Sequence, residues 1–327
     1  MTDFAGKRVL ITGGMGFIGS NLAIRLTEMQ AHVTIVDAML PDYGGNLFNI
    51  APVRDKITVN FADIRDVNVM NYLVRDQDYI FHLAGQTDHV LSMRDPYPDI
   101  DINVKGTAVL MEACRYQNPQ AKVVHVGTRG QYSPSTKPPV KEDAPTLPLD
   151  TYGISRLAAE GIARAYHENF GVCAVMLRVT NTYGPRAQMK NSHSGVVNWF
   201  IRRILGGEAI EVFGDGQLIR DFLYIDDCIE ALVRCALTPT AYGQIINLAT
   251  GIPVTFEQLA KQVIEANGGG SWQYAAFTPE RAAQKPDDFY ADISRLREIL
   301  GWEPATPLLE GLRTTIQFYR EYRENYW

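Results

Sequence analysis

The sequence of 327 residues has no apolar run long enough to span a membrane and no block of basic residues. Its net charge at pH 7 is −6, which argues against nucleic acid as the main partner. Residues 1–4 lack the basic and then apolar start of a signal peptide. We therefore expect a cytoplasmic protein that binds neither a membrane nor nucleic acid.

Cysteine is scarce, and the four cysteines lie inside apolar helix or strand patterns without the spacing of metal ligands (Cys114, Cys173, Cys228 and Cys235). They are expected to be reduced thiols of the core, and we predict no metal site. Apolar residues make up 46% of the chain and charged residues 21%, as in globular proteins. The length suits one large or two medium domains.

Glycine, by contrast, is concentrated near the start of the chain, where residues 7–19 read KRVLITGGMGFIG. Gly13, Gly16 and Gly19 recur at a spacing of three, and Gly14, Gly16 and Gly19 also satisfy the GxGxxG pattern. The segment predicts a strand that turns sharply into a helix. The glycines would allow the tight turn, the close approach of the backbone to a pyrophosphate, and close packing of helix on strand.

An acidic residue follows at the distance that a dinucleotide site requires. Residues 32–36 predict a second strand, and Asp37 ends it, roughly twenty residues beyond the glycines. Such an acid accepts hydrogen bonds from both adenosine ribose hydroxyls and repels a 2′-phosphate. The pattern favours NAD over NADP, although Asp37 as a simple helix cap is the alternative interpretation.

Up to residue 180, short apolar strands alternate with helices of ten or more residues, which is typical of an α/β fold with a doubly wound parallel sheet of the Rossmann type. We predict an NAD-binding domain over 1–180 plus about 221–251. A smaller C-terminal substrate-binding lobe is predicted over 181–220 and 252–327. Ligands of such sheets bind beyond the carboxyl ends of the strands.

Tyr152 and Arg156 lie four residues apart on a predicted helix, so both side chains can point into one cleft. A nearby cation is expected to lower the pKa of the phenol toward a value useful for proton transfer. Taken alone, the spacing is uninformative and would favour a surface pair on a helix. Its position after a strand that ends in Gly127 and Thr128 favours a catalytic pair.

These motifs resemble those of the extended short-chain dehydrogenase/reductases that epimerise or dehydrate nucleotide sugars. The resemblance covers nearly the whole chain. Its motifs are TGGxGFIG at 12–19, Asp37, DIR at 63–65, HLAGQ at 82–86, NxxGT at 103–107, YGxS at 152–155, NxYGP at 181–185, FGDG at 213–216, RDFxYxDD at 220–227 and LGWxP at 300–304.

The resemblance implies that Tyr152 takes the sugar hydroxyl proton as hydride passes to NAD, with Thr128 on the same oxygen and Arg156 completing the catalytic set. It implies NAD contacts from Gly13, Gly16, Phe17, Ile18, Gly19, Asp37, Asp63, Ile64, Leu83, Ala84, Gly85, Tyr152 and Arg156. It implies nucleotide-sugar contacts from Gln86, Arg129, Asn181, Asn198, Val212, Arg220 and Lys285. Family members usually form homodimers, and we expect the same here.

Two departures from the family pattern bear on activity. Arg156 stands where the family has lysine, and its guanidinium keeps the charge but cannot give up a proton. A non-catalytic protein that binds NAD and a nucleotide sugar is therefore an alternative. Lys285 stands where relatives usually carry an arginine, so a cation remains without bidentate phosphate contact.

Residues 128–130 help to choose the reaction. Related 4,6-dehydratases carry Thr-Asp-Glu there, whereas this chain has Thr128, Arg129 and Gly130. The sequence therefore predicts an NAD-dependent 4-epimerase of a UDP-hexose or UDP-uronate. A 4,6-dehydratase and a keto-sugar reductase are the alternative enzymes. Arg129 would bind a C6 carboxylate, or alternatively form a salt bridge with a loop acid.

Overall fold

Seven parallel strands form the central sheet of the computed structural model, which describes residues 4–41, 43–190, 195–277 and 287–327. The order across the sheet is β3-β2-β1-β4-β5-β6-β11. Its strands are β1 (Arg8–Thr12), β2 (His32–Asp37), β3 (Thr58–Phe61), β4 (Tyr79–His82), β5 (Lys122–Thr128), β6 (Cys173–Val179) and β11 (Ile245–Leu248). The predicted Rossmann-type fold class is confirmed.

Helices cover both faces of this sheet. The α-helices are α1 (Phe17–Glu28), α2 (Val67–Leu73), α3 (His89–Arg94), α4 (Tyr97–Asp99), α5 (Gly106–Gln117), α6 (Thr151–Phe170), α7 (Val196–Leu205), α8 (Ile225–Leu237), α9 (Phe256–Asn267), α10 (Ser294–Leu300) and α11 (Leu308–Glu321). A π-helix, Ile100–Lys105, joins α4 to α5. The 3₁₀ segments are Leu47–Lys56, Arg129–Gln131, Pro239–Ala241 and Arg323–Asn325.

The strands read as continuous apolar runs because both faces of the sheet are buried. Alternate residues of β1 point to opposite faces: Leu10 joins the cluster under α2, α5 and α6, whereas Val9 and Ile11 join the cluster under α1 and α8. All three side chains are fully buried.

The remaining strands form three two-stranded sheets in the C-terminal half. They pair β7 (Asn181–Tyr183) with β10 (Phe222–Tyr224), β8 (Ile210–Phe213) with β13 (Trp272–Ala275), and β9 (Ile219–Arg220) with β12 (Val254–Thr255). Helices α7, α9 and α11 pack beside them. One cluster of buried side chains runs from the central sheet into this region, so the predicted boundary at residue 181 stays a prediction.

The strand order reverses between β1 and β4, which are hydrogen-bonded neighbours. Chain connections leave the sheet in opposite directions on the two sides of this point and open a crevice at the carboxyl ends of the strands. Residues that follow Thr12, His82 and Thr128 therefore lie at one edge. Within the described residues, no helix is long and apolar enough to cross a membrane.

Candidate active site

The glycine turn joins β1 to α1 and leaves the start of the helix open. Gly13 has φ +69°, and a Cβ there would lie 2.9 Å from the backbone of Ala84, so only glycine suits this position. A Cβ on Gly19 would lie 2.2 Å from the carbonyl oxygen of Gly13. The α1 helix has no side-chain cap and no acidic residue in its first turn. Its first N–H groups, which include those of Phe17 and Ile18, are therefore available to an anion.

Asp37 ends β2 beside this turn. One carboxylate oxygen accepts a hydrogen bond from the Met15 N–H (3.0 Å), and the other accepts from the Met39 N–H (2.9 Å). The carboxylate is thus fixed against the turn, and each oxygen keeps a lone pair for a further donor such as a ribose hydroxyl.

A hydrogen-bond chain ties the glycine turn to the segment after β4. The Thr12 hydroxyl accepts from the N–H groups of Leu83 and Ala84, at 3.1 Å each, and pairs with Nδ1 of His82 at 2.9 Å. Nε2 of His82 pairs with the hydroxyl of Thr107 at 3.0 Å. Burial, assisted by the charge of Arg156, lowers the pKa of His82 to about 3, so this ring is neutral and structural.

The predicted adenine end holds Asp63 and Ile64. Asp63 pairs with Arg65 through Nε at 2.9 Å and Nη2 at 2.6 Å, and its hydrogen bonds to Arg65 hold its carboxyl pKa below the usual value. The Ile64 side chain is buried, and a Cβ on Gly106 would lie 2.5 Å from its Cδ1. Only the backbone of Ile64 is therefore available to a ligand.

Tyr152 and Thr128 come together where α6 meets the end of β5. Tyr152 is 6% exposed. Burial raises the pKa of its hydroxyl, while the charge of Arg156 and the Thr128 hydroxyl act in the opposite direction. The cation thus lowers the pKa of the phenol as expected, but desolvation of the phenolate outweighs this effect, so the pKa of the hydroxyl stays above its usual value.

Arg156 is buried one turn further along α6, at 5% exposure. Its Nη2 donates to the Val126 carbonyl, and its Nη1 donates to Oδ1 of Asn103 at 3.4 Å. A Cβ at Gly85 would lie 2.5 Å from Nη1, so the guanidinium lies against the segment after β4. Burial also lowers the pKa of Arg156. Nε has no partner among the described residues and remains a donor for a bound group.

Asn103 connects Arg156 to a second buried acid. Its amide donates to Oγ of Ser155 at 3.0 Å and to Oδ1 of Asp99 at 3.3 Å. Asp99 is fully buried, and burial raises its carboxyl pKa to about 7. The sequence did not indicate this acid, because nothing in the apolar pattern around residue 99 distinguishes a buried aspartate from a turn residue.

On the substrate side, Arg129 and Arg220 line one cavity with Gly130. Nε of Arg129 donates to Oδ1 of Asn181 at 2.8 Å. Arg220 is buried and donates to the backbone carbonyl of Asp287. Two of the predicted substrate contacts, both of them cations, thus line one opening, and a third, Asn181, is hydrogen-bonded to one of them.

Other predicted substrate contacts lie differently. Gln86 is buried, and its amide bonds to the backbone of Asp88. Val212 is fully buried in β8, so its side chain faces the core and only its backbone is available to a ligand. Asn198 is buried on α7. Lys285 lies outside the described residues. The roles of all four stay predictions.

His89 and Asp150 form a pair at the same cavity that sequence reasoning did not find. Nδ1 of His89 lies 2.5 Å from Oδ2 of Asp150, and the His89 ring meets the Tyr152 ring edge-on with centroids 4.5 Å apart. The two partners are 61 positions apart in the sequence, so no local pattern connects them. Asp150 is recognisable from sequence only as the cap of α6, through its bond to the Gly153 N–H at 2.7 Å.

A Rossmann-type sheet with a glycine turn, a ribose-side acid and a tyrosine beside a threonine defines a nicotinamide-dependent protein of the short-chain dehydrogenase/reductase type. The model of the NAD dependent epimerase/dehydratase family matches residues 9–249. The chain belongs to that family.

Both activities in the family name, epimerase and dehydratase, occur among the relatives of this chain. UDP-glucose 4-epimerase of Mycolicibacterium smegmatis is 34% identical over 315 residues, 96% of this chain and 98% of that protein. dTDP-D-glucose 4,6-dehydratase of Mus musculus is 32% identical over 332 residues, 98% of this chain and 90% of that protein. The structure of UDP-glucuronic acid 4-epimerase from Bacillus cereus with UDP-glucuronic acid and NAD has a TM-score of 0.86 and 27% identity, and covers 96% of this chain and 99% of that one.

NAD is the cofactor of this family, and the chain's own residues fit it. The uncapped start of α1 offers N–H groups to a pyrophosphate, and a Cβ on Gly16 would lie 3.3 Å from the Gly13 carbonyl. Asp37 presents acceptors to a ribose, and the buried Nε of Arg156 has no partner among the described residues.

Proposed function

We propose that the protein is an NAD-dependent 4-epimerase of a nucleotide sugar, which oxidises the sugar at C4 and returns the hydride to the opposite face. The observation that carries this proposal is the pairing of Tyr152 with Thr128 at the carboxyl edge of the sheet, beside the segment 83–85. This edge is also where the glycine turn opens, so cofactor and sugar would meet at the phenol.

The chain's residues would handle the proton while NAD accepts the hydride. The Tyr152 phenolate would take the proton of the C4 hydroxyl, and the Thr128 hydroxyl would hydrogen-bond the same oxygen. The buried charge of Arg156 favours the phenolate, because it lowers the pKa that burial has raised. On reduction from the other face, Tyr152 returns the proton.

The segment after Thr128 favours epimerisation over dehydration. Loss of water across two carbons needs an acid and a base beside the sugar. Arg129 and Gly130 supply no carboxylate there. Because one relative is a dTDP-D-glucose 4,6-dehydratase, 4,6-dehydration is the second candidate reaction. It would give a 4-keto-6-deoxy sugar rather than a C4-inverted sugar.

The cations of the cavity suit an anionic substrate. Arg220 and Asn181 are proposed to bind the diphosphate, Arg220 through charge-assisted hydrogen bonds. Arg129 lies nearer to Thr128 in the chain and is proposed to bind a C6 carboxylate, which would make the substrate a UDP-uronate. The Bacillus cereus relative is named for such a substrate.

A homodimer in the cytoplasm is also proposed. Large apolar side chains are exposed on α3, α4, the π-helix and α6, and a second copy would bury them. They are Met93 (58% exposed), Tyr97 (75%), Ile100 (48%) and Ile154 (54%). Sedimentation of wild type and Ile154→Asp tests this, with a dimer expected for the first and a monomer for the second.

The four unpaired cysteines suit a reducing compartment.

The function is tested by incubating the protein with NAD and UDP-glucose, UDP-galactose, UDP-glucuronate or the CDP-, GDP- and dTDP-hexoses, followed by NMR of the sugars. A C4-inverted product is expected, first of all from UDP-glucuronate. A 4-keto-6-deoxy product would make the protein a dehydratase. Bound NAD without turnover of any of these sugars would favour a non-catalytic role.

A further inference from the structure

His89 and Asp150 make a pair that the proposed C4 chemistry leaves unused. The pair lines the cavity with Arg129 and Gly130. The His89 side chain is 34% exposed and that of Asp150 is 16% exposed. The histidine therefore reaches both the cavity and water, whereas its partner is mostly buried.

The hydrogen bond fixes the tautomer of His89. Hydrogen bonding to His89 holds the carboxyl pKa of Asp150 below its usual value against the effect of burial, so Asp150 is ionised at neutral pH and can only accept. Nδ1 of His89 must then donate to Oδ2, at 2.5 Å. In the neutral ring Nε2 then carries no proton, and within the described residues it makes no hydrogen bond. Such a nitrogen is a base.

Two contacts place this base next to the reacting carbon. The His89 ring lies edge-on to the Tyr152 ring at 4.5 Å between centroids. The ring also lies near Gly130, where a Cβ would be 3.3 Å from Cε1 of His89 and 3.6 Å from the Thr128 hydroxyl. Because Tyr152 and Thr128 would hold the C4 oxygen, His89 lies beside the carbons that flank C4. Any side chain at position 130 would crowd the ring.

We propose that His89, oriented by Asp150, is a second catalytic base, which removes the proton from a carbon next to the C4 carbonyl of the oxidised sugar. The inference rests on the proposed function, since oxidation at C4 creates that carbonyl. The site would therefore carry enolisation, and with it hydrogen exchange at C3 or C5, besides hydride transfer.

The step balances without a further reactant. Nε2 takes the proton, and the electron pair of the broken C–H bond forms a C=C bond to C4. The carbonyl π pair moves to the C4 oxygen, where the Tyr152 and Thr128 hydroxyls stabilise it by hydrogen bonds. The half-exposed imidazolium exchanges its proton with water, and reversal of the step delivers a solvent hydrogen to the carbon.

The test supplies the carbonyl directly, so that it does not depend on oxidation. UDP- and dTDP-4-keto-6-deoxyglucose are incubated with the NAD-loaded protein in D2O, and deuterium at C3 and C5 is counted by NMR and mass spectrometry. Wild type should exchange one of these positions above the protein-free rate. His89→Gln should lower the rate about 100-fold, whereas His32→Gln, at an exposed histidine, should not change it.

Asp150→Asn separates orientation from packing. Asparagine caps α6 as well as aspartate does, so the fold is kept. Its amide would donate to Nδ1 and move the ring proton to Nε2, which removes the base. Exchange should fall with no loss of thermal stability, and Gly130→Ala should also lower it by displacing the ring.

Each outcome bears on one claim. Wild-type exchange at the protein-free rate, or an unchanged rate in His89→Gln, would overturn the role of His89. Inversion at C4 without exchange overturns this inference alone. Deuterium exchange into the 4-keto sugars, without C4 inversion of any nucleotide sugar that carries a C4 hydroxyl, overturns the proposed 4-epimerase alone.

Discussion

The Arg156 guanidinium donates a hydrogen bond to the backbone carbonyl of Val126, two residues before Thr128 on β5. Arg156 is also four residues beyond Tyr152 on α6. The contact therefore ties the helix that carries the tyrosine to the strand that carries the threonine. The arginine contributes packing as well as charge at this junction.

Arg156→Lys should keep the charge but lose part of this bonding. We expect a decrease of about 1–3 kcal/mol in the free energy of unfolding, because buried acceptors lose a donor. Turnover should stay within about tenfold of wild type, since the effect on the Tyr152 pKa is retained. Arg156→Met removes the charge, so the pH at which kcat rises as Tyr152 loses its proton should move to a higher value. Urea unfolding and kcat between pH 6 and pH 10 measure both, and an unshifted profile in the methionine variant would contradict the account.

Asp99 makes stability depend on pH. Its pKa of about 7 lies above the usual value of 3.8, so between those pH values the native state binds a proton that the unfolded state has released. Its contribution to stability therefore falls as pH rises through this window. Asp99→Asn should gain stability relative to wild type between pH 5 and pH 8, by up to about 1.4 kcal/mol per pH unit. Urea unfolding at each pH measures this, and Asp76→Asn at an exposed position serves as the control.

Two glycine-to-alanine substitutions, one at the glycine turn and one on α6, should change the stability of the protein in opposite directions. Gly19→Ala would place its Cβ 2.2 Å from the Gly13 carbonyl, so the turn must shift. We expect lower stability and loss of copurified NAD. Gly161 lies on helix α6, as Gly19 lies on helix α1, but nothing lies within 4 Å of a Cβ there. Gly161→Ala should therefore raise the free energy of unfolding by about 0.5–1 kcal/mol. NAD content and thermal denaturation of the two proteins decide the matter; equal behaviour would show that close packing at residue 19 is not required.

Arg129→Ala tests the substrate. If the guanidinium binds a C6 carboxylate, its loss removes a charged hydrogen bond of about 1.5–3 kcal/mol, or roughly 10- to 100-fold. The drop in kcat/KM should affect UDP-glucuronate and spare UDP-glucose. An equal drop for both sugars would mean that Arg129 supports the site only through its bond to Asn181.

Features that depend on local sequence were predictable. The parallel, doubly wound sheet was predicted from alternating apolar runs and helices, and the turn was predicted from the spacing of its glycines. The return of residues 223–249 to the sheet was also expected, and β11 pairs with β6 there. The placement of Tyr152 and Arg156 on one helix face followed from helical spacing together with their position after the strand that ends in Gly127 and Thr128.

Features that depend on burial or on distant partners were not predictable. The direction of the Tyr152 pKa follows from desolvation, which only the packed structure reveals. The bond of His89 to Asp150 joins the first residue of α3 to the cap of α6, which come together only when α3 packs on α6. Val212 was expected to line the substrate site; the register of β8 turns its side chain into the core, which leaves only its backbone for the predicted contact.

The central claim is that hydride leaves C4 and returns to it within one active site. The most direct measurement uses the accepted nucleotide sugar with deuterium at C4 in ordinary water. We predict a C4-inverted product that retains the deuterium, with turnover lowered about 100-fold or more in Tyr152→Phe and unchanged in Tyr72→Phe at an exposed tyrosine. Loss of the label to water, or a 4-keto-6-deoxy product, would contradict the account.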